Sequence, residues 1–219
     1  MMANGRRRVP VELAVRFHQP GRRFDGMSAA FLDRDGVINN DGRYVNTVEA
    51  FALLPGAADA IRRLNDAGIP VVVITNQGSV ALKYLTRADL ERIHDKMEKL
   101  LAAQGAHVDA VYSALAHPEG TVPELAKVSE YRKPATGMID RAREDLGIDP
   151  GRSYVVGDAT SDILAGSRAR CTTILVETGF GGTDGKAEAI PDHVVADLSA
   201  AVELILATLE PSKLPTDPA

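Results

Sequence analysis

The stretch FLDRDGVINN, residues 31–40, decides how this chain is read. The apolar run Ala29, Ala30, Phe31, Leu32 leads straight into Asp33; Asp35 follows two positions later, and Gly36 then breaks the pattern. A buried strand that ends in two carboxylates and a glycine brings charge to one rim of a sheet.

Working outward, further apolar runs read as buried strands at 28–33, 70–75, 108–113, 153–157 and 172–176. Helical periodicity appears at 55–66, 87–104, 135–146, 160–169 and 198–209. The strands are continuously apolar instead of alternating, which means burial on both faces and a parallel sheet between helical layers. The expected fold is a doubly wound α/β domain with a parallel sheet. In such sheets the ligand site lies beyond the carboxyl ends of the strands, where the strand order switches. That rule sorts the polar residues: Asp33 and Asp35 end the first of these strands, Thr75 and Asn76 the second, Asp158 the fourth, and Lys133 lies on a loop returning to the same edge.

Each residue type then has a chemical use. A carboxylate pointing into the site is a nucleophile that can be phosphorylated. A second one on the turn can protonate a leaving oxygen and later take a proton from water. Asp33, the backbone carbonyl of Asp35 and Asp158 make an oxygen-rich set suited to Mg²⁺. Lys133 supplies a point charge, and the Thr75 hydroxyl binds phosphoryl oxygens. An isolated D-x-D is most often a solvated turn. Joined in order to T-N-Q, R-K-P and G-D-x-x-x-D, it is read as a site.

Together FLDRDGVIN, VITNQ, RKPATGM and VVGDATSDI resemble the four motifs of the haloacid dehalogenase (HAD) superfamily of phosphohydrolases. The likeness runs from about residue 28 to 208. DRDGVIN, YV, TNQ, HPEG and RKP further resemble its histidinol-phosphate and heptose bisphosphate phosphatase branch. The resemblance implies a HAD-like Rossmannoid fold and Asp33 as nucleophile, Asp35 as acid/base, and Thr75 and Lys133 as phosphate stabilisers. It implies Asp33, Asp35 and Asp158 as Mg²⁺ ligands. Asp41, Tyr44, Asn76, Gln77, Gly78, Arg132 and Lys133 fall where the branch contacts its sugar phosphate. Asp162 is read as holding the metal site in place without ligating directly.

The chain departs from the branch in three places. The structural zinc of the branch uses a Cys-x-His…Cys-x-Cys loop, but here the positions read Ala114, Leu115, Ala116 and Ser129, Glu130, Tyr131, so no structural zinc is expected. Ala159 stands where a substrate lysine follows the fourth-motif aspartate. Leu82 stands at an arginine position, with Lys83 next to it as a possible replacement.

Forty-two residues separate Asp33 from Thr75, and 58 separate Thr75 from Lys133. Core elements consume both intervals, leaving no room for a separate cap domain; the 114–131 loop is the lid candidate, with Leu125 and Val128 packing inward. An open rim suits a sugar phosphate or another sizeable phosphate ester; the resemblance implies a heptose bisphosphate first, with histidinol phosphate as the alternative. A receiver-type switch domain, also doubly wound, is the rival from another class, but it carries its phosphoacceptor on a later strand. A phosphomutase would need a larger cap.

A length of 219 residues fits one domain. A net charge of −5 excludes a general nucleic-acid binder. The single Cys171 excludes an internal disulfide and suits a reducing cytoplasm. No apolar run approaches the roughly 20 residues that span a bilayer. Residues 1–26 carry +4, with six arginines, and are read as a flexible extension whose deletion to Met27 is expected to leave activity intact; 27–209 are read as the phosphatase domain, and 210–219 as a loose tail. The assembly is expected to be a monomer or small homo-oligomer. His94, in a charged helix, is expected to be solvated; His107 and His193 are read as turn residues, His117 as a surface or capping residue, and GFGGTDG at 179–185 as a flexible loop beside the site.

Overall fold

In a computed structural model, residues 8–40, 45–185 and 187–209 are described. The strands are β1 (Leu13–Phe17), β2 (Ala30–Leu32), β3 (Val71–Asn76), β4 (Ala110–Ala114), β5 (Tyr154–Gly157), β6 (Thr172–Val176) and β7 (His193–Val195). The helices are α1 (Ala57–Asp66), α2 (Arg87–Ala102), α3 (Gly137–Leu146), α4 (Thr160–Arg168) and α5 (Leu198–Leu209).

The strands form one sheet in the order β1-β4-β3-β2-β5-β6-β7. All pairs are parallel except β1 with β4. Central β2 pairs on both sides, Phe31 lying opposite Val72 and Val155. Successive side chains of a strand point to opposite faces. Leu32, Val73 and Val156 accordingly pack with Ile61 and Leu64 of α1, Met97 of α2 and Val202 of α5. Phe31, Val72 and Val155 pack with Ile139 and Ala142 of α3 and Ala165 of α4. Burial on both faces is why these runs lack polar alternation.

From β2 the chain proceeds outward through β3 and β4, then returns to β5 and proceeds the other way through β6 and β7. The order therefore switches at the carboxyl end of β2, where the D-x-D pair emerges. Helix starts are fixed locally. Thr86 and Asp89 form a reciprocal capping box on α2. Ala159, before α4, has no side-chain acceptor, and its N–H donates instead to Asp162 Oδ2 at 3.0 Å.

Residues 8–26 correct the expected flexible extension. β1 adds an antiparallel edge to the sheet, Leu13↔Ala114 through Phe17↔Ala110. Leu13 and Phe24 are buried in the core with Tyr112 and Leu146. Three of the six arginines have partners: Arg16 pairs with Glu91, Asp95 and Glu98 of α2, Arg22 lies over the Phe24 ring, and Arg23 pairs with Asp25. Residues 1–7 and the 210–219 tail lie outside the described residues. No helix among the described residues is long and apolar enough to cross a membrane.

Candidate active site

The carboxyl ends of β2, β3 and β5 and the loop before α3 bound one cleft. It is lined by Asp33, Asp35, Thr75, Asn76, Gln77, Gly78, Arg132, Lys133 and Asp158, with Leu82, His117 and Phe180 at its margin. Within the described residues its free volume is about 170 Å³. That is below the roughly 300–1,000 Å³ of sites that enclose a whole ligand, so the described cleft takes in only part of one. Asp41 and Tyr44 lie outside the described residues, and Lys83 is not among the lining residues.

At the floor, the buried Lys133 ammonium reaches Asp33 Oδ1 at 2.9 Å and Asp162 Oδ1 at 2.6 Å, and donates to the Ile74 carbonyl at 2.8 Å. Burial alone would lower its pKa, but the charges of Asp162 and Asp33 outweigh that and raise it. Lys133 is therefore a fixed cation beside Asp33. Burial pushes the Asp33 carboxyl up, Lys133 opposes, and the neighbouring Asp162 and Asp35 add to the rise.

Among the described residues no cation forms an ion pair with Asp158. Its Oδ2 accepts from Phe180 N–H at 2.7 Å, and burial followed by the charges of Asp33 and Asp162 raises its pKa. Carboxylate oxygens of Asp33, Asp158 and Asp162 lie within 4.8 Å of one another. The backbone leaves space for them: a Cβ at Gly36 or Gly179, both with positive φ, would come within 2.2 and 2.0 Å of Asp158 Oδ2. An all-oxygen set with excess negative charge suits a hard divalent cation. Asp162 is otherwise engaged, through Oδ1 with Lys133 and through Oδ2 with Ala159 N–H.

Asn76 and Gln77 reach the cleft but are tied to protein groups. Asn76 exchanges two hydrogen bonds with the Lys133 backbone, at 3.1 and 3.0 Å. Gln77 Nε2 donates to Asp35 Oδ2 and Thr75 Oγ1, both at 2.9 Å. These two side chains thus tie the end of β3 to the Lys133 loop and to Asp35.

Sequence reasoning missed Arg34. Its side chain is fully buried and donates to both oxygens of Asp35. Its Nη1 lies 3.3 Å from His94 Nε2. His94, expected to be solvated, is 1% exposed and neutral: burial and the nearby Arg34 and Arg16 charges push its pKa down to about 3. It faces inward because α2 turns that side toward the D-x-D loop. Helical phase carried this signal: His94 lies one residue from Ile93 and three from Met97, both buried.

The 114–131 loop is anchored by apolar packing. Leu115 and Leu125 pack with Val80, Ala81 and Leu90, and Thr121 N–H donates to the Ala81 carbonyl at 2.7 Å. Val128 points outward, 85% exposed, contrary to expectation. The 179–185 segment is not loose either: Phe180 and Gly182 N–H groups bond Asp158, and the preceding Thr178 hydroxyl donates to the Gly36 carbonyl at 2.6 Å. His107 stacks on His18, and His193 opens β7.

Residues 30–109 match the family described as Haloacid dehalogenase-like hydrolase, and residues 130–201 one described as HAD-hydrolase-like. The D-glycero-D-manno-heptose-1,7-bisphosphate 7-phosphatase of Thermosynechococcus vestitus is 42% identical over 84% of this chain and 97% of its own. Among solved structures, the D,D-heptose 1,7-bisphosphate phosphatase of B. bronchiseptica, complexed with magnesium and phosphate, superposes with TM-score 0.71. It is 35% identical, over 83% of this chain and 99% of that one. A HAD-like protein of Mesorhizobium loti superposes with TM-score 0.78 at 32% identity, over 91% of this chain and 93% of its own.

Proposed function

Since the chain belongs to the haloacid dehalogenase-like hydrolases, within their heptose 1,7-bisphosphate phosphatase branch, we propose that it removes the 7-phosphate of a heptose 1,7-bisphosphate through an aspartyl phosphate on Asp33. The observation that carries the reading is Asp33 itself, a carboxylate held 2.9 Å from the buried Lys133 ammonium at the floor of the cleft.

An Asp33 oxygen attacks phosphorus as the bond to the ester oxygen breaks, and Asp35 gives that oxygen its proton. In the free protein Asp35 is ionised: burial raises its pKa, but Arg34, Asn39 and Gln77 lower it below the usual carboxylate range. Bringing a phosphate dianion into the cleft favours its protonated form, as any added negative charge beside a carboxylate does. Water then attacks the phosphorus of the aspartyl phosphate, Asp35 takes its proton, and Asp33 is released. Lys133 and Thr75 receive the charge that spreads over the phosphoryl oxygens. Mg²⁺, held by Asp33, Asp158 and the Asp35 carbonyl, would supply Lewis-acid neutralisation of that charge when bound. Asn76, Gln77, Gly78 and Arg132 bound the path of the rest of the substrate, and Asp41 and Tyr44 are proposed to join them. Asp162 keeps Lys133 and the start of α4 in place.

The test is phosphate release with Mg²⁺ from D-glycero-D-manno-heptose 1,7-bisphosphate and from histidinol phosphate, with phosphorus NMR of the sugar product. Wild type should leave the 1-phosphate intact, and Asp33→Asn should release nothing. Single-turnover release by Asp33→Asn would overturn the covalent route, and a preference for histidinol phosphate would overturn the substrate.

A further inference from the structure

We infer that Arg34 is a positioning residue for the leaving-group proton transfer, aligning Asp35 from beneath the cleft. The inference rests on the acid/base reading of Asp35. Arg34 has the largest side chain that is fully buried in the described core. A buried cation is costly unless paired and hydrogen-bonded, and an apolar side chain of similar volume often serves stability as well or better. Packing alone therefore gives no reason for a guanidinium here.

The geometry gives one. The Arg34 fork donates three hydrogen bonds to Asp35: Nε to Oδ1 at 3.1 Å, and Nη2 to Oδ1 and Oδ2 at 2.9 Å each. Asn39 Nδ2 adds one to Oδ1 at 3.0 Å, and Gln77 Nε2 one to Oδ2 at 2.9 Å. Both carboxylate oxygens are thus held, yet the side chain keeps 27% of its surface open toward the cleft. Three donor groups define the plane of the carboxylate as well as its position, which a point charge could not do.

The fork is itself held. His94 Nε2 faces Arg34 Nη1 at 3.3 Å and, being neutral, can accept from it. Helix α2 thereby fixes the arginine, and the arginine fixes the acid. A misplacement of about 1 Å at a reacting group can cost about 10²-fold in rate.

The experiment compares kcat/KM, which reports the steps through formation of the aspartyl phosphate, on two substrates. The alkoxide of a heptose bisphosphate needs a proton to leave; the p-nitrophenolate of p-nitrophenyl phosphate does not. For Arg34→Met, kcat/KM on the sugar phosphate should fall about 10²-fold, and on the aryl ester by a small fraction of that. Arg34→Lys, which keeps the charge and loses the fork, should show the same selectivity, and it carries the test if Arg34→Met does not fold. Asp35→Asn is the reference and should be selective in the same sense. Equal loss on both substrates, or no loss, in the arginine variants overturns the positioning role. An unselective Asp35→Asn overturns the acid/base role, and the positioning role with it.

Discussion

Single side chains set the electrostatics of this site, and His94 shows how. Its neighbours include the cations Arg34 and Arg16 as well as Asp35, and its folded pKa is depressed from 6.5 to about 3. In the fold it stays neutral, while in the unfolded chain it takes a proton near pH 6.5. The unfolded state then binds more protons across that window. The stability linked to neutral His94 is complete above about pH 6.5 and is lost as pH falls toward about 3. His94→Gln, which can still accept from Arg34 but cannot titrate, should lose less stability than wild type between pH 7 and 4.5. Chemical unfolding at several pH values measures this, and parallel curves for the two proteins would contradict it. Asp33, Asp35 and Asp158 were legible in the sequence because motif spacing survives in one dimension. The Arg34–His94 pairing was not, because its members lie 60 residues apart, although helical phase alone marks His94 as inward-facing.

At the scale of elements, β1 has the clearest consequence. It joins the sheet at the outer edge of β4, and the segment following it seats Phe24 against α3. Burying Leu13 and Phe24 contributes about 1.5–3 kcal/mol each, a large part of a typical domain stability of about 5–15 kcal/mol. Removal would also expose the β4 edge, an invitation to aggregation. The truncated protein beginning at Met27 should therefore unfold at clearly lower denaturant and be less soluble. An unchanged urea midpoint would show that β1 is dispensable. This reverses the expectation that the extension can be deleted freely. The sequence hid the strand because its five residues include Arg16, and the arginines on either side read as a solvated arm. Only the acidic face of α2 explains Arg16.

At the scale of the molecule, five of the seven strands and all five α-helices among the described residues matched apolar periodicity, and the switch in strand order gathered distant carboxylates at one point. Gathering them has a cost. Asp33, Asp158 and Asp162 share one neighbouring ammonium, and burial raises the pKa of both Asp33 and Asp158. A ligand that binds only the folded state stabilises it by mass action. Mg²⁺ should therefore raise the melting temperature of the wild type. Asp158→Asn should melt higher than wild type without metal and respond little to it. A zinc-selective chelator should leave the melt unchanged, because the 114–131 loop contains no cysteine and is held by Leu115 and Leu125. A melt insensitive to Mg²⁺ would argue against the metal site, and a melt lowered by the chelator would reveal a structural zinc.

The sequence by itself determined the α/β architecture, because strands buried on both faces and amphipathic helices leave their periods in the chain. It also determined the D-x-D, Thr75, Lys133 and Asp158 positions, because strand ends in a parallel sheet share one rim. Tertiary structure alone decided which faces became interior. It placed a full cation beneath Asp35, set His94 against that cation and made residues 13–17 a strand. Each of these depends on a partner far along the chain, and burial is a property of the packed neighbours, which local composition does not encode.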